Sequence, residues 1–130
     1  MLNALNVIAI EGKFKRSEII LKNTFLFKQK PTDISFDLDN DEYCILYYID
    51  STESWFLTNK NLIFPFVRVS VDLSSLVKVD FSNIKENPSH KLINKRLDLF
   101  MENKKINIMV EEKSWHLIYN IFKFIISKNF

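Results

Sequence analysis

Between Tyr43 and Val110 the apolar residues come in short runs, many of period two. A chain patterned this way buries them as a set of strands. Tyr43–Ile49 (YCILYYI) is apolar and aromatic, as a buried strand would be. Ser51-Thr52-Glu53 interrupts it, Trp55-Phe56-Leu57-Thr58 resumes, and Asn59-Lys60 breaks it again before Asn61-Leu62-Ile63-Phe64. The last two runs predict a hairpin, turned on an Asn that tolerates positive φ in a chain with one Gly. Val67, Val69 and Val71 then alternate with Arg68, Ser70 and Asp72, and Val77, Val79 and Phe81 with Lys78 and Asp80. Each set puts one face in the core and one in water. A polar loop runs from Ser82 to Asn94 around Pro88. Beyond it Leu97, Leu99 and Met101 alternate, and Glu102-Asn103 turns the chain into Ile106, Ile108 and Val110. Six or seven short strands at this spacing predict an antiparallel sandwich or barrel.

Ser114 to Lys128 has the other period. On a wheel of about 100° per residue, Trp115, Ile118, Tyr119, Phe122, Ile125 and Ile126 share an arc of roughly 120°. His116, Asn120, Lys123 and Ser127 lie opposite. Ser114 is placed to N-cap this helix, with Glu111 and Glu112 at the positive end of its dipole and Lys128 at the other. The stripe predicts that the helix closes the open end of a sheet, with Trp115 as its largest anchor. Leu117, Ile121 and Phe124 form a second apolar strip, offset by roughly 100°. A helix that only caps a sheet does not need that strip. It is therefore the candidate partner-binding surface, unless the N-terminal part of the chain or a second copy covers it.

This order of elements, with the run WFLTNKNLIF in its second and third strands, resembles the pleckstrin-homology-like superfold, in its bacterial and GRAM-type branch. The resemblance rests on Trp55, Leu57, Thr58, Asn59, Lys60, Leu62 and Ile63 and covers residues 41 to 128. It implies a mainly β (α+β) domain, an antiparallel barrel of six to seven strands capped at one end by the C-terminal amphipathic helix. It implies no particular ligand, because the superfold hosts many functions. The expected division is a pleckstrin-homology-like domain over 36–130, with residues 1–35 as an extension that is not independent. Within that extension Ser17-Glu18 reads as a helix start, and Lys28, Lys30 and Pro31 as its end. Ile19, Ile20, Leu21, Phe25, Leu26 and Phe27 wrap around all sides of such a helix. A well-buried helix over 13–30 is the expectation, and a strand over part of it the alternative.

Pro31 to Asn59 holds seven acids and no Lys or Arg. Asp37-x-Asp39-x-Asp41 approaches a calcium loop but fails it, with Glu42 at the glycine position and Tyr48 at the bidentate-glutamate position. The C-terminal half is basic in compensation. Lys91, Lys95, Arg96, Lys104 and Lys105, with Lys85 nearby, are the candidate anion-binding residues. Phosphoinositide-binding members of the resembling family gather cations on their first two strands. Here Tyr43 to Thr58 carries none, and Asp50 and Glu53 would repel a headgroup.

A net charge of +2 advertises no nucleic-acid partner. Cys44 is alone, so neither an internal disulfide nor a cysteine-rich metal site is available, and a buried thiol in a strand is expected. Met1 to Ile10 lacks the pattern of a signal peptide, and no run of about 18 apolar residues would cross a membrane, which predicts a cytoplasmic protein. His90 and His116 have no cysteine or second histidine at zinc spacing, and Gly12 is too isolated for a phosphate loop. These features predict no catalytic residue, metal or cofactor. The expected function is a binding module acting on a protein partner as adaptor, subunit or inhibitor. An anionic-lipid module is the disfavoured alternative, and a structural self-assembly domain or homo-oligomer the third.

Overall fold

The computed structural model describes residues 2–27, 38–81 and 96–129. The chain begins with helix α1 (Ala4–Arg16), followed by β1 (Thr24–Leu26), β2 (Cys44–Ile49), β3 (Ser54–Thr58), β4 (Asn61–Phe64) and β5 (Val69–Asp72). A 3-10 turn at Leu73–Ser75 leads into β6 (Leu76–Phe81), β7 (Arg96–Met101), β8 (Lys105–Met109) and helix α2 (Trp115–Ser127). The fold is α+β: two antiparallel sheets, β1-β2-β3-β4-β5 and β6-β7-β8, and two helices. Trp55 Nε1–H donates to the Met109 carbonyl at 2.8 Å, joining β3 of the larger sheet to β8 of the smaller. The Met109 N–H donates to Glu53 Oε2 at 2.9 Å just beside it.

The centre of the larger sheet, β2 and β3, is buried on both faces, which is why YCILYYI does not alternate. Leu26, Leu46, Tyr48, Trp55, Leu57 and Leu62 face the main core. Tyr47, Phe56, Cys44 and Ile63 form a second cluster, with the Tyr47 and Phe56 rings stacked at 5.0 Å. Cys44 is 8% exposed, and burial pushes its thiol up to about 12, so at neutral pH it is neither ionised nor reactive. A thiol reagent at pH 8 should label it only after the chain is unfolded; labelling of the native protein at the rate of a free thiol would contradict this placement.

Several local expectations change. The helix predicted over 13–30 ends at Arg16. Ser17 stops it instead of starting it, its hydroxyl donating to the Phe14 carbonyl, and Glu18 sits at φ 55. The start lies upstream, where Asn3 and Asn6 cap each other's backbone N–H. Phe25 and Leu26 belong to β1, paired with Tyr47 and Leu46, so the alternative of a strand over part of 13–30 holds there. The β3–β4 turn needs no positive φ. Thr58 Oγ1 accepts from the N–H of Lys60 and of Asn61, and positive φ falls on Glu18, Arg68 and Lys113. Arg68 at φ 54 delays β5, so Val67 and Val69 are exposed and only Val71 is buried. A bulge between Leu76 and Lys78 gives the inward place to Leu76 and leaves Val77 exposed. Ser114 makes no side-chain cap; its hydroxyl donates to the Glu111 carbonyl. The expected polar loop 82–94 lies outside the described residues.

Helix α2 buries Ile118, Phe122, Ile125 and Ile126, with Phe122 edge-on to Trp55 at 6.2 Å. Trp115 and Tyr119 are half-buried against Phe81, at 4.9 and 4.4 Å. The helix's end is tied down by Asn129 Nδ2–H, which donates to the carbonyls of Leu73 and Leu76. Helix α1 packs on α2, and its buried residues Val7 and Ile10 join the main core, with Phe14 at its margin.

Candidate functional site

The second strip on α2 meets α1, and the meeting leaves a groove. Leu117 and Ile121 are buried in the chain as it stands, while Phe124 is half-exposed. The groove, of about 650 Å³, runs along α2 past His116, Leu117, Asn120, Lys123, Phe124 and Ser127. Its other wall is Lys13, Arg16, Ser17 and Ile19, the last turn of α1 and the bend after it. Leu117, Asn120, Phe124 and Ser127 are spaced i, i+3, i+7 and i+10, which is one helical face about 15 Å long. Leu117, Phe124 and Ile19 give an apolar floor, and cations rise on both walls.

Two ammonium groups stand over the floor. Lys13 Nζ lies 5.4 Å from the centre of the Phe124 ring and Lys128 Nζ 4.8 Å, each within range of the ring's negative face. Lys123 Nζ lies 5.8 Å from the Tyr119 ring. Arg16 folds back over Gly12, where an added Cβ would come within 2.8 Å of its guanidinium. Among the described residues no acid lines the groove, and none stands within ion-pair distance of Lys13, Arg16 or Lys123.

The anion-binding candidates are placed differently. Lys91 and Lys95 lie outside the described residues. Arg96 pairs with Glu53 at 3.0 Å and Lys105 with Asp98 at 3.7 Å, so two of the remaining three cations already face an acid. Lys104 is exposed at the β7–β8 turn.

The carboxylates that titrate abnormally serve the fold. Glu42 accepts from Thr58 Oγ1–H and Asn61 Nδ2–H; burial raises its pKa, but these hydrogen bonds outweigh it and the net direction is down. Lys60 reaches Asp39 and Asp41 at 3.4 and 2.5 Å, linking two of the residues once read against a calcium loop. The Tyr48 hydroxyl donates to Asp50 and, with the backbone N–H groups of Thr52 and Glu53, holds that carboxyl down at about 2. A depressed folded-state pKa contributes stability that is complete above the ordinary Asp value and is lost as pH falls through about 2. Stability should therefore drop between about pH 4 and pH 2, and Asp50→Asn should flatten that part of the profile. An unchanged acid limb in Asp50→Asn would remove Asp50 from the pH response.

Sequence reading missed three residues that shape this region. Lys13 and Arg16 become a wall only once α1 is known to end at Arg16. Asn59 is 3% exposed: its Oδ1 accepts from the Tyr43 N–H at 2.9 Å, its Nδ2–H donates to the Asp41 carbonyl at 3.0 Å, and its own carbonyl accepts from the Leu2 N–H at 2.8 Å. A buried Asn after a strand in WFLTNKNLIF was the available signal, and it was read as a turn residue.

Among the described residues no group of three His, Cys, Asp or Glu is placed to hold a metal ion, and no helix is long and apolar enough to cross a membrane. Compared with protein-family models, with curated proteins and with solved structures, the chain matches none.

Proposed function

We propose that this chain is a non-catalytic, cytoplasmic binding module that acts by docking a partner protein in the α1–α2 groove. One observation carries the reading: an apolar floor between two helices, walled by cations that have no acid partner among the described residues. Such a site offers burial and charge but no proton-transfer apparatus. Among the described residues that line it His116 is the one histidine, and no carboxylate stands there to orient it.

The fold reading that goes with this is a pleckstrin-homology-like domain over 36–130. Its support is the order of elements, four strands β2 to β5, three strands β6 to β8 and a final helix seated on Trp55 through Phe122. Residues 1–35 act in it as an extension that depends on the domain. The Leu2 to Asn59 bond, the pairing of β1 with β2 and the seat of α1 on α2 support that. The lipid alternative is weakened at the family's usual site. There Asp50 stays ionised to about pH 2, and Glu53 is already engaged by Arg96.

The test compares proteins retained from native cytosol by the wild-type chain and by Asn120→Trp, which fills the groove. A protein bound reproducibly by the first and lost by the second, with the variant still folded by its melting curve, supports the reading. A partner held equally by both moves the interface elsewhere on the surface.

A further inference from the structure

We infer that the groove takes an acidic segment of its partner, a stretch of chain carrying several carboxylates among aliphatic or aromatic side chains. This rests on the reading that the groove is a docking site, and it adds what the occupant must be made of. Lys13 and Arg16 stand on one wall, Lys123 on the other, and Lys128 over the ring of Phe124. An occupant must therefore bring negative charge to both sides of an apolar floor about 15 Å long. A peptide of about five extended residues, or three helical turns, spans that length. Its carboxylates would meet the walls while every third or fourth side chain, or every second, rested on Leu117, Phe124 and Ile19.

The two other anionic classes fit less well. A lipid would place one headgroup and need a channel for its acyl chain. Beneath Leu117 the core is closed, with Ile118, Ile121 and Phe122 at most 1% exposed. A nucleic acid would need an open aromatic face for its bases. Here the one ring in the floor is half-buried and has two ammonium groups over it. The acid-rich stretch 38–53, moreover, carries Asp39, Asp41, Glu42, Asp50 and Glu53 and would repel a long polyanion.

The experiment pans a random peptide library, displayed on phage, against the immobilised full chain, and then measures the enriched peptides by fluorescence anisotropy. The expected winners mix Asp or Glu with Leu, Ile, Phe or Trp. Their affinity should fall about 100-fold in Lys13→Glu/Arg16→Glu/Lys123→Glu, and should weaken as salt rises from about 0.05 to 0.5 M. Should that triple variant misfold, Arg16→Glu/Lys123→Glu, both exposed positions, should still give about a tenfold loss. Winners without an acidic excess, or binding that ignores charge reversal, overturn the inference. If Asn120→Trp still abolishes that binding, the groove stands as a docking site for a neutral partner. If Asn120→Trp changes nothing, or if no peptide is enriched, the docking reading falls with it. Vesicles of phosphatidylcholine and phosphatidylserine form the last arm. Sedimentation of the chain with them, abolished by the triple reversal, would overturn the inference in favour of a membrane surface.

Discussion

Trp55→Ala should lower the stability of the chain by about 4–5 kcal/mol, a large share of the about 5–15 kcal/mol that holds a domain together. The indole is fully buried, lies 6.0 Å from the Tyr48 ring in a stacked pair and meets Phe122 of α2 edge-on. Truncation opens a cavity where the sheet, β8 and the helix converge. It also strands the Met109 carbonyl, which accepts from Nε1–H, at a further ~1 kcal/mol. Trp115, the residue that the helical stripe alone would have chosen as anchor, sits half-buried on Phe81. Its replacement by alanine should cost ~1–2 kcal/mol, in keeping with partial burial. Urea titrations of the two variants check the ranking, and a larger loss for Trp115→Ala than for Trp55→Ala would reverse the account of where the helix is held.

Glu111→Ala should be the next most damaging, at about 2–3 kcal/mol. This carboxylate accepts from the backbone N–H groups of Lys22 and Asn23 and from Thr24 Oγ1–H. It thus clamps the segment between α1 and β1 onto the end of β8. Asn23 in turn donates from Nδ2–H to the Ile49 carbonyl, and the Ile49 N–H donates to the Asn23 carbonyl, so losing the clamp loosens the start of the β1–β2 pairing. Thr24 is 2% exposed, and its hydroxyl cannot turn to water in compensation. Glu111→Gln keeps an acceptor and should recover part of the loss. Hydrogen exchange gives the second readout, since the amides of Lys22, Asn23 and Phe25 should exchange faster while those of β6 and β7 do not. Uniform acceleration across both sheets would mean that Glu111 acts on global stability rather than on this joint.

Strands and the last helix were legible because their periodicity is local. Leu97, Leu99 and Ile108 alternate and are all fully buried, and Ile118, Phe122 and Ile125 fall on the stripe that the wheel drew. What escaped depends on partners far away in sequence. Glu111 reads as a dipole-matching acid before α2, yet its donors are Lys22, Asn23 and Thr24. Ser17 reads as an N-cap because a serine before a glutamate so often is one, and nothing nearby says that a helix has just ended there. The amphipathic signal of α1 is blurred by Leu5 and Ile8, which are 76% and 63% exposed, so its inward face of Val7 and Ile10 does not stand out. The groove inherits both errors. The strip Leu117, Ile121 and Phe124 was visible, but the wall that makes it a site required knowing where α1 stops.

The seat of α1 on α2 also sets a clock. The ribosome makes α1 first, and the surface that receives it is complete only when Trp115 to Ser127 has emerged. At roughly 5–20 residues per second, that leaves the nascent helix waiting on the order of ten seconds. For that interval the part of α1 that α2 receives lacks its native cover, and such exposed apolar surface is what chaperones bind and what aggregation starts from. The sheets can assemble in the order of their synthesis, but the seat of α1 on α2 forms last.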